Sequence, residues 1–343
     1  MASLSDYHGS VGNWRDQLRR NERNTKFVIA LFFAIYICVG LLVDIFILQS
    51  MTAYHRVPIS QCLYLLITLR IMPIATLLML GLATISLLIT FVFYDRLMLL
   101  GTEYHEITPE TAQNLQEKQL YNVIEEMKVA ASLQYMPKVY IIEANYMNAF
   151  ASGYSEKSAM VAITRGLMEK LDRDEMQAVM AHELSHIRHH DIKLTLMASV
   201  LSNLLLMVID VLFYTAIFGR DDRKGDNRLL MVIIILRYVL PLITLILVLF
   251  LSRTREYMAD AGSVELMRDN EPIARALLKI SEDHAANAPQ YINEYGKTAH
   301  EGVRHAAYLF DPSDLDPVKS LQTIFSTHPL IADRLKSLGF RKK

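Results

Sequence analysis

The sequence predicts an α+β, mostly helical protein embedded in a membrane, with a small sheet and about four transmembrane helices. Three observations carry this. The apolar residues, 52% of the chain against 21% charged, are gathered into long blocks instead of being spread evenly. Three short runs between residues 138 and 164 have the alternation and composition of strands. A capped, amphipathic helical stretch begins at Asp172.

In chain order, residues 1–26 form a basic tail in which Val11, Trp14 and Leu18 share a helical face beside Arg15 and Arg19. That suits either an interfacial helix on anionic lipid or a disordered basic segment. The start lacks the short apolar stretch and small-residue cleavage site of a signal peptide, so the first apolar block reads as a retained anchor. Phe27 to Leu48 is long enough for one span, with Asp44 near its far end, and Pro73 to Tyr94 makes a second, so that residues 27–94 carry two helices. Arg15, Arg19, Arg20, Arg23 and Lys26 precede the first span, and the loop after it offers little beyond Arg56, which places the N-terminus in the cytoplasm. Cys38 and Cys62 supply neither a disulfide framework nor a C-x-x-C metal pair. A net charge of −1 makes no case for nucleic acid.

Residues 95–194 open a second region. Over 115–134, Leu120, Val123, Ile124 and Met127 fall at helical spacing, with Pro137 ending the helix. Lys138 to Glu143, Asn148 to Gly153 and Ala159 to Thr164 read as three strands of a small sheet. Asp172 is then an N-cap with Glu175 completing a capping box, and Met176, Val179 and Met180 give the helix a buried stripe.

That helix carries His182-Glu183-Leu184-Ser185-His186. Positions i and i+4 share a helix face, so the two imidazoles converge on one metal while Glu183 reaches the water bound there, the H-E-x-x-H arrangement of a zinc peptidase. Catalysis needs a third protein ligand and an open fourth position. A metzincin would continue with a glycine and a third histidine where this chain has His189 and Ile192. In gluzincins the third ligand is a Glu on a later helix, with an Asp four residues on to hydrogen-bond a metal-bound His. Glu256 and Asp260 have that spacing.

Between the two halves of this site lie further apolar blocks, Thr195 to Phe218 and Leu229 to Leu251, giving a hydrophobic hairpin over 195–251 and a second peptidase part over 252–343. Asp210 and Arg237 fall inside the blocks, where they form either an ion pair or separate snorkelling positions. An even number of crossings lets His182 and His186 meet Glu256 on one side. At 1.5 Å per residue the metal sits roughly 7–14 Å from the apolar core, on the cytoplasmic face. The basic loop Gly219 to Arg228 runs against that orientation.

Four motifs, in one order, then carry a resemblance: Asn148-Ala149-Phe150-Ala151-Ser152-Gly153; Ala181 to His186 with Asp191; Arg255-Glu256-Tyr257-Met258-Ala259-Asp260-Ala261-Gly262; and His328-Pro329-Leu330 with Arg334. The chain resembles the HtpX branch of the M48 zinc metallopeptidases over most of its length. It departs at Ser152, where relatives often have Thr, in an N-terminal extension, and in a longer segment before the His-Pro motif. The resemblance implies an integral inner-membrane zinc endopeptidase of stress response and quality control, which cleaves damaged or misfolded membrane proteins and carries one Zn2+ per subunit on His182, His186 and Glu256. Its general base is Glu183. It also implies that Asn148, Ala149 and Phe150 form a strand edge pairing with extended substrate. His328 is the candidate donor to the oxyanion. His189 and His190 are read as surface or interface residues, Asp191 as a brace for the helix end, and Arg334 as an ionic anchor.

The partners are polypeptide substrates and membrane lipid. A non-proteolytic scaffold with structural zinc would close the fourth position with Cys or His. A transporter lined by Asp44, Asp210 and Arg237 would show repeated bundles and broken midplane helices. The nearest rival is a CAAX-type endopeptidase trimming prenylated proteins, and such enzymes usually carry more spans.

Overall fold

The computed structural model describes residues 7–9, 14–50, 57–98, 104–153, 155–189, 191–218, 227–297 and 328–342, together with Leu4 and Leu309. Val11, His190 and residues 219–226 lie outside these. The elements are β1 (Tyr7–Gly9), α1 (Trp14–Ser50), α2 (Ile59–Ile67), α3 (Ile74–Met98), β2 (Tyr104–Ile107), α4 (Leu115–Ala130), β3 (Lys138–Ile142), β4 (Ala149–Ser152), β5 (Met160–Thr164), α5 (Arg165–Lys170), α6 (Arg173–Arg188), α7 (Asp191–Phe218), α8 (Asn227–Met267), α9 (Glu271–Lys297), α10 (Ile331–Ser337) and β6 (Phe340–Lys342). The chain divides into two units: residues 26–90 with 195–248, and residues 1–25 with 91–194 and 249–343.

The first unit is helical. Among the described residues three helices are long and apolar enough to cross a membrane, Trp14–Gln49, Met197–Phe218 and Leu229–Met267. The expected second span falls on α3, where the described apolar stretch is the shorter Ile74–Ser86. Large apolar side chains such as Leu78, Ile85, Met231 and Ile246 point outward, as they do where lipid is the solvent. The basic residues from Arg15 to Lys26 are the first turns of α1 itself, because no Gly or Pro separates them from the apolar run.

In this unit Asp44, Asp210 and Arg237 have partners. Asp44 is buried and caps the start of α3, accepting from the amides of Ala75 and Thr76 at 2.8 and 3.0 Å and from Thr76 Oγ1 at 2.7 Å. It satisfies donors that a helix start leaves free. A side chain at Gly40 would put its Cβ 2.8 Å from Thr76 Oγ1, so glycine permits this approach. Arg237 Nε donates to Asp210 Oδ1 at 2.9 Å, its Nη2 to Tyr214 at 3.3 Å. The ion pair, one of the two expected arrangements, is formed.

The second unit is built on a four-stranded sheet in the order β2-β3-β5-β4. β3 and β5 run parallel, and β2 and β4 are antiparallel edges. Sequence alternation missed β2, which is only four residues long. Helix α4 ends at Ala130, well short of Pro137: Ser132 takes φ 58°, and Leu133 N and Ser132 N bond back to Lys128 O and Val129 O, a left-handed cap that stops the helix before any proline. The capping box of α6 is present, with Glu175 N on Asp172 Oδ1 at 2.8 Å and Asp172 N on Glu175 Oε2 at 3.0 Å. Arg173 on α6 pairs with Glu126 on α4, and Lys279 on α9 with Glu175. β1 and β6 pair antiparallel, joining residues near the two ends of the chain.

Candidate metal site and substrate edge

Helix periodicity sets up the site. His182 and His186 lie one turn apart on α6, and Glu256 and Asp260 one turn apart on α8. The two helices approach closely because the residues between them are small. Ser263 Oγ donates to Ala178 O at 2.7 Å, and a Cβ on Gly262 would lie 2.7 Å from the Cβ of Ser185. Nothing larger than glycine fits there without parting the helices.

At this crossing His182, His186 and Glu256 bring three donor atoms within 4.8 Å of one another, all three residues buried. The two Nε2 atoms are 3.2 Å apart, and Glu256 lies 3.7 Å from one and 3.6 Å from the other. Behind each ring stands a carboxylate: His182 Nδ1 is 3.0 Å from Asp260 Oδ1, and His186 Nδ1 is 3.0 Å from Asp191 Oδ2. With the protons held on Nδ1, both Nε2 lone pairs face each other and a carboxylate. A cation relieves that repulsion, and a tetrahedral ion with bonds of ~2.0–2.1 Å would hold two nitrogens roughly 3.3 Å apart. These donors fit a metal. Burial pulls the His182 pKa down, but hydrogen bonds to Asp260 and Glu256 outweigh it and raise it to about 9.

Arg334 closes the site from α10. Fully buried, it forks onto Asp260 through Nε at 2.9 Å and Nη2 at 2.6 Å, and its Nη1 lies 3.4 Å from Glu256 Oε2. His328 Nδ1 is 3.4 Å from the same oxygen. Burial alone would raise the Glu256 carboxyl, but the charge of His328, the hydrogen bond from His182 and the guanidinium hold it well below the usual carboxylate range. Asp260 is lowered too, where Arg334 and His182 overcome burial. Glu183 behaves differently. Its carboxyl is buried, and burial raises its pKa against the pull of His182, His186 and a backbone hydrogen bond from Ala151, as a proton acceptor needs.

The edge strand β4 lies beside this helix. Thr164 N donates to Asn148 O at 2.9 Å, and with Phe150 opposite Ala162 and Ser152 opposite Met160 the even-numbered residues turn their main chain toward β5. Ala149 and Ala151 face the open edge. Of the three residues expected to bind substrate, Ala149 therefore presents its backbone outward, while Asn148 bonds to β5 and Phe150 is fully buried.

The sequence-predicted donors, base, Asp260 and His328 come together here. Asp191, read as a brace, hydrogen-bonds His186 instead, and the ionic anchor expected of Arg334 is made to the site's own carboxylates. His189 is half-buried and hydrogen-bonds Ser185 O at 2.8 Å, apart from the donor cluster. No local pattern marks Asp191 or Arg334 as site residues; only their position after each motif does.

Helices fit to cross a membrane, with a buried His-His-Glu donor set beside a strand edge, are the build of a membrane metalloprotease. The chain belongs to peptidase family M48, whose model matches residues 114–342. It is 39% identical to a Protease HtpX homolog of Helicobacter pylori, over 96% of this chain and 99% of that one. A Protease HtpX homolog of Streptococcus uberis is 31% identical, over 94% and 98%. The crystal structure of S. mikatae Ste24p is similar with a TM-score of 0.47 at 20% identity, over 76% of this chain and 56% of that chain.

Proposed function

We propose that the protein is a zinc endopeptidase that hydrolyses peptide bonds of damaged or misfolded membrane proteins, on the cytoplasmic side of the inner membrane. The observation that carries the peptidase chemistry is the convergence of two Nε2 atoms and Glu256 beside the buried carboxyl of Glu183. His182, His186 and Glu256 would hold zinc, which when bound supplies a Lewis acid that polarises the scissile carbonyl and lowers the pKa of water toward ~7. Asp260 and Asp191 fix the imidazole tautomers and orientation. Glu183 takes the proton of the attacking water and passes it to the leaving amine, so that atoms and charge balance over the cycle. His328 donates to the oxyanion as the carbonyl becomes tetrahedral. An extended substrate pairs with the outer edge of β4, where main-chain bonds hold a peptide whatever its side chains. The cytoplasmic orientation is supported by the basic residues Arg15 to Lys26 ahead of the first span, and the choice of membrane-protein substrates by the spans themselves.

Comparison of Glu183→Gln with Glu256→Ala tests this. Both should abolish cleavage of an unfolded protein such as casein by the purified protein in detergent. Glu183→Gln should keep its zinc and its melting temperature, because the amide fills the same space but accepts no proton. Glu256→Ala should lose zinc, since two imidazoles make a weak site. Cleavage by Glu183→Gln at the parent rate would refute the mechanism.

A further inference from the structure

The outward carbonyl of Ala149 is already in use. The amide of Leu309 donates to it at 2.9 Å, and the carbonyl of Leu309 accepts from Arg334 Nη1 at 3.0 Å. That same Nη1 lies 3.4 Å from Glu256 Oε2, so Leu309 stands one guanidinium away from a metal-binding carboxylate. The residue is 2% exposed. A core leucine needs only burial. Leu309 in addition gives its amide to the strand edge and its carbonyl to the charged group beside the donors, the two main-chain bonds that one residue of a bound, extended peptide would make. The donor is rigid, since both other arms of Arg334 are fixed on Asp260.

We propose that the Ala149 carbonyl, the Arg334 guanidinium and the enclosed space that Leu309 fills form a subsite for one aliphatic residue of the substrate, and that Leu309 is the chain's own occupant of it. This rests on the peptidase reading for the word substrate, but not for the binding. A tethered occupant competes at a high effective concentration. A peptide therefore has to present an aliphatic residue with a free amide and carbonyl, and has to displace Leu309 to be held.

The test uses the full chain in detergent, loaded with zinc, carrying Glu183→Gln so that peptide is not consumed, and Cys38→Ser with Cys62→Ser so that one thiol is read. In this background Leu309→Cys should react slowly with iodoacetamide, and about tenfold faster when a leucine-containing tetrapeptide is added. The same peptide with aspartate for leucine should have no effect. Leu309→Gly should bind the leucine peptide about tenfold more tightly than the protein with Leu309 intact, by fluorescence anisotropy. Labelling unmoved by leucine peptide, or equal or weaker binding by a folded Leu309→Gly protein, overturns the subsite. Peptide-accelerated labelling, with no casein cleavage by the parent protein, keeps the subsite and removes the peptidase reading.

Discussion

His328 sits where one side chain either turns over substrate or only packs. It is buried and 3.4 Å from Glu256, yet it is not needed to complete the His-His-Glu set. As a donor to the oxyanion it acts mainly in the transition state, so His328→Ala should lower turnover on the order of a hundredfold, or roughly 3 kcal/mol, with zinc content unchanged. Normal turnover at normal zinc content would return it to packing. A second residue offers a pH signature away from the metal. His284 is fully buried with Nδ1 on Ile280 O at 2.9 Å, and burial lowers its pKa from 6.5 to about 4. The folded protein thus resists protonation that the unfolded chain accepts. The stability this group contributes is complete above its unfolded value and is lost as pH falls from 6.5 toward 4. Between pH 7 and pH 5 the parent should lose about 2 kcal/mol more than His284→Gln, read from denaturant melts at both values. Equal acid sensitivity of the two proteins would place the acid-labile group elsewhere.

Between elements, the crossing of α6 and α8 governs the metal geometry, and Gly262 governs the crossing. A methyl there meets Ser185, so α8 must move and carry Glu256 and Asp260 away from the imidazoles. Gly262→Ala should therefore cost about 1–3 kcal/mol in stability and weaken zinc binding, and Ser185→Gly in the same protein should restore both. Zinc titration with thermal melts checks this; a Gly262→Ala protein with parental zinc affinity would mean that the helices tolerate the shift. This crossing also explains which parts of the molecule were legible in the sequence. His182, His186, Glu256 and Asp260 announce themselves because ligands on one helix face must recur at i+4. The cap at Asp172 is equally local. Leu309 reaches the site through tertiary approach alone, and Arg334, in the middle of the short helix α10, is marked in the sequence only by the His-Pro motif that it follows. The end of α4 was misplaced for a related reason: Pro137 is a strong signal, but the chain stops earlier at Ser132, through backbone bonds that many residues can make.

At the scale of the whole chain, the site constrains topology by parity. His182 and His186 precede α7, Glu256 follows the apolar part of α8, and all three meet. The chain therefore crosses the membrane an even number of times between them. Met197–Phe218 is 22 residues long and Leu229–Met267 is 39, each enough for a hydrocarbon core of ~30 Å at 1.5 Å per residue. Two crossings put Gly219 to Arg228 on the face opposite the metal. Against this stand Arg220, Arg223, Lys224 and Arg228, which favour the cytoplasm; zero crossings, as a re-entrant hairpin, would satisfy both parity and charge. The ion pair of Asp210 with Arg237 weighs for two full spans, since it neutralises the groups that would otherwise oppose insertion. With Cys38 and Cys62 replaced by serine, a cysteine at Gly225 should accordingly react with an impermeant maleimide in right-side-out vesicles and stay unlabelled in inverted ones. The reverse pattern would leave the hairpin re-entrant, with the metal site and the loop on the same side of the bilayer.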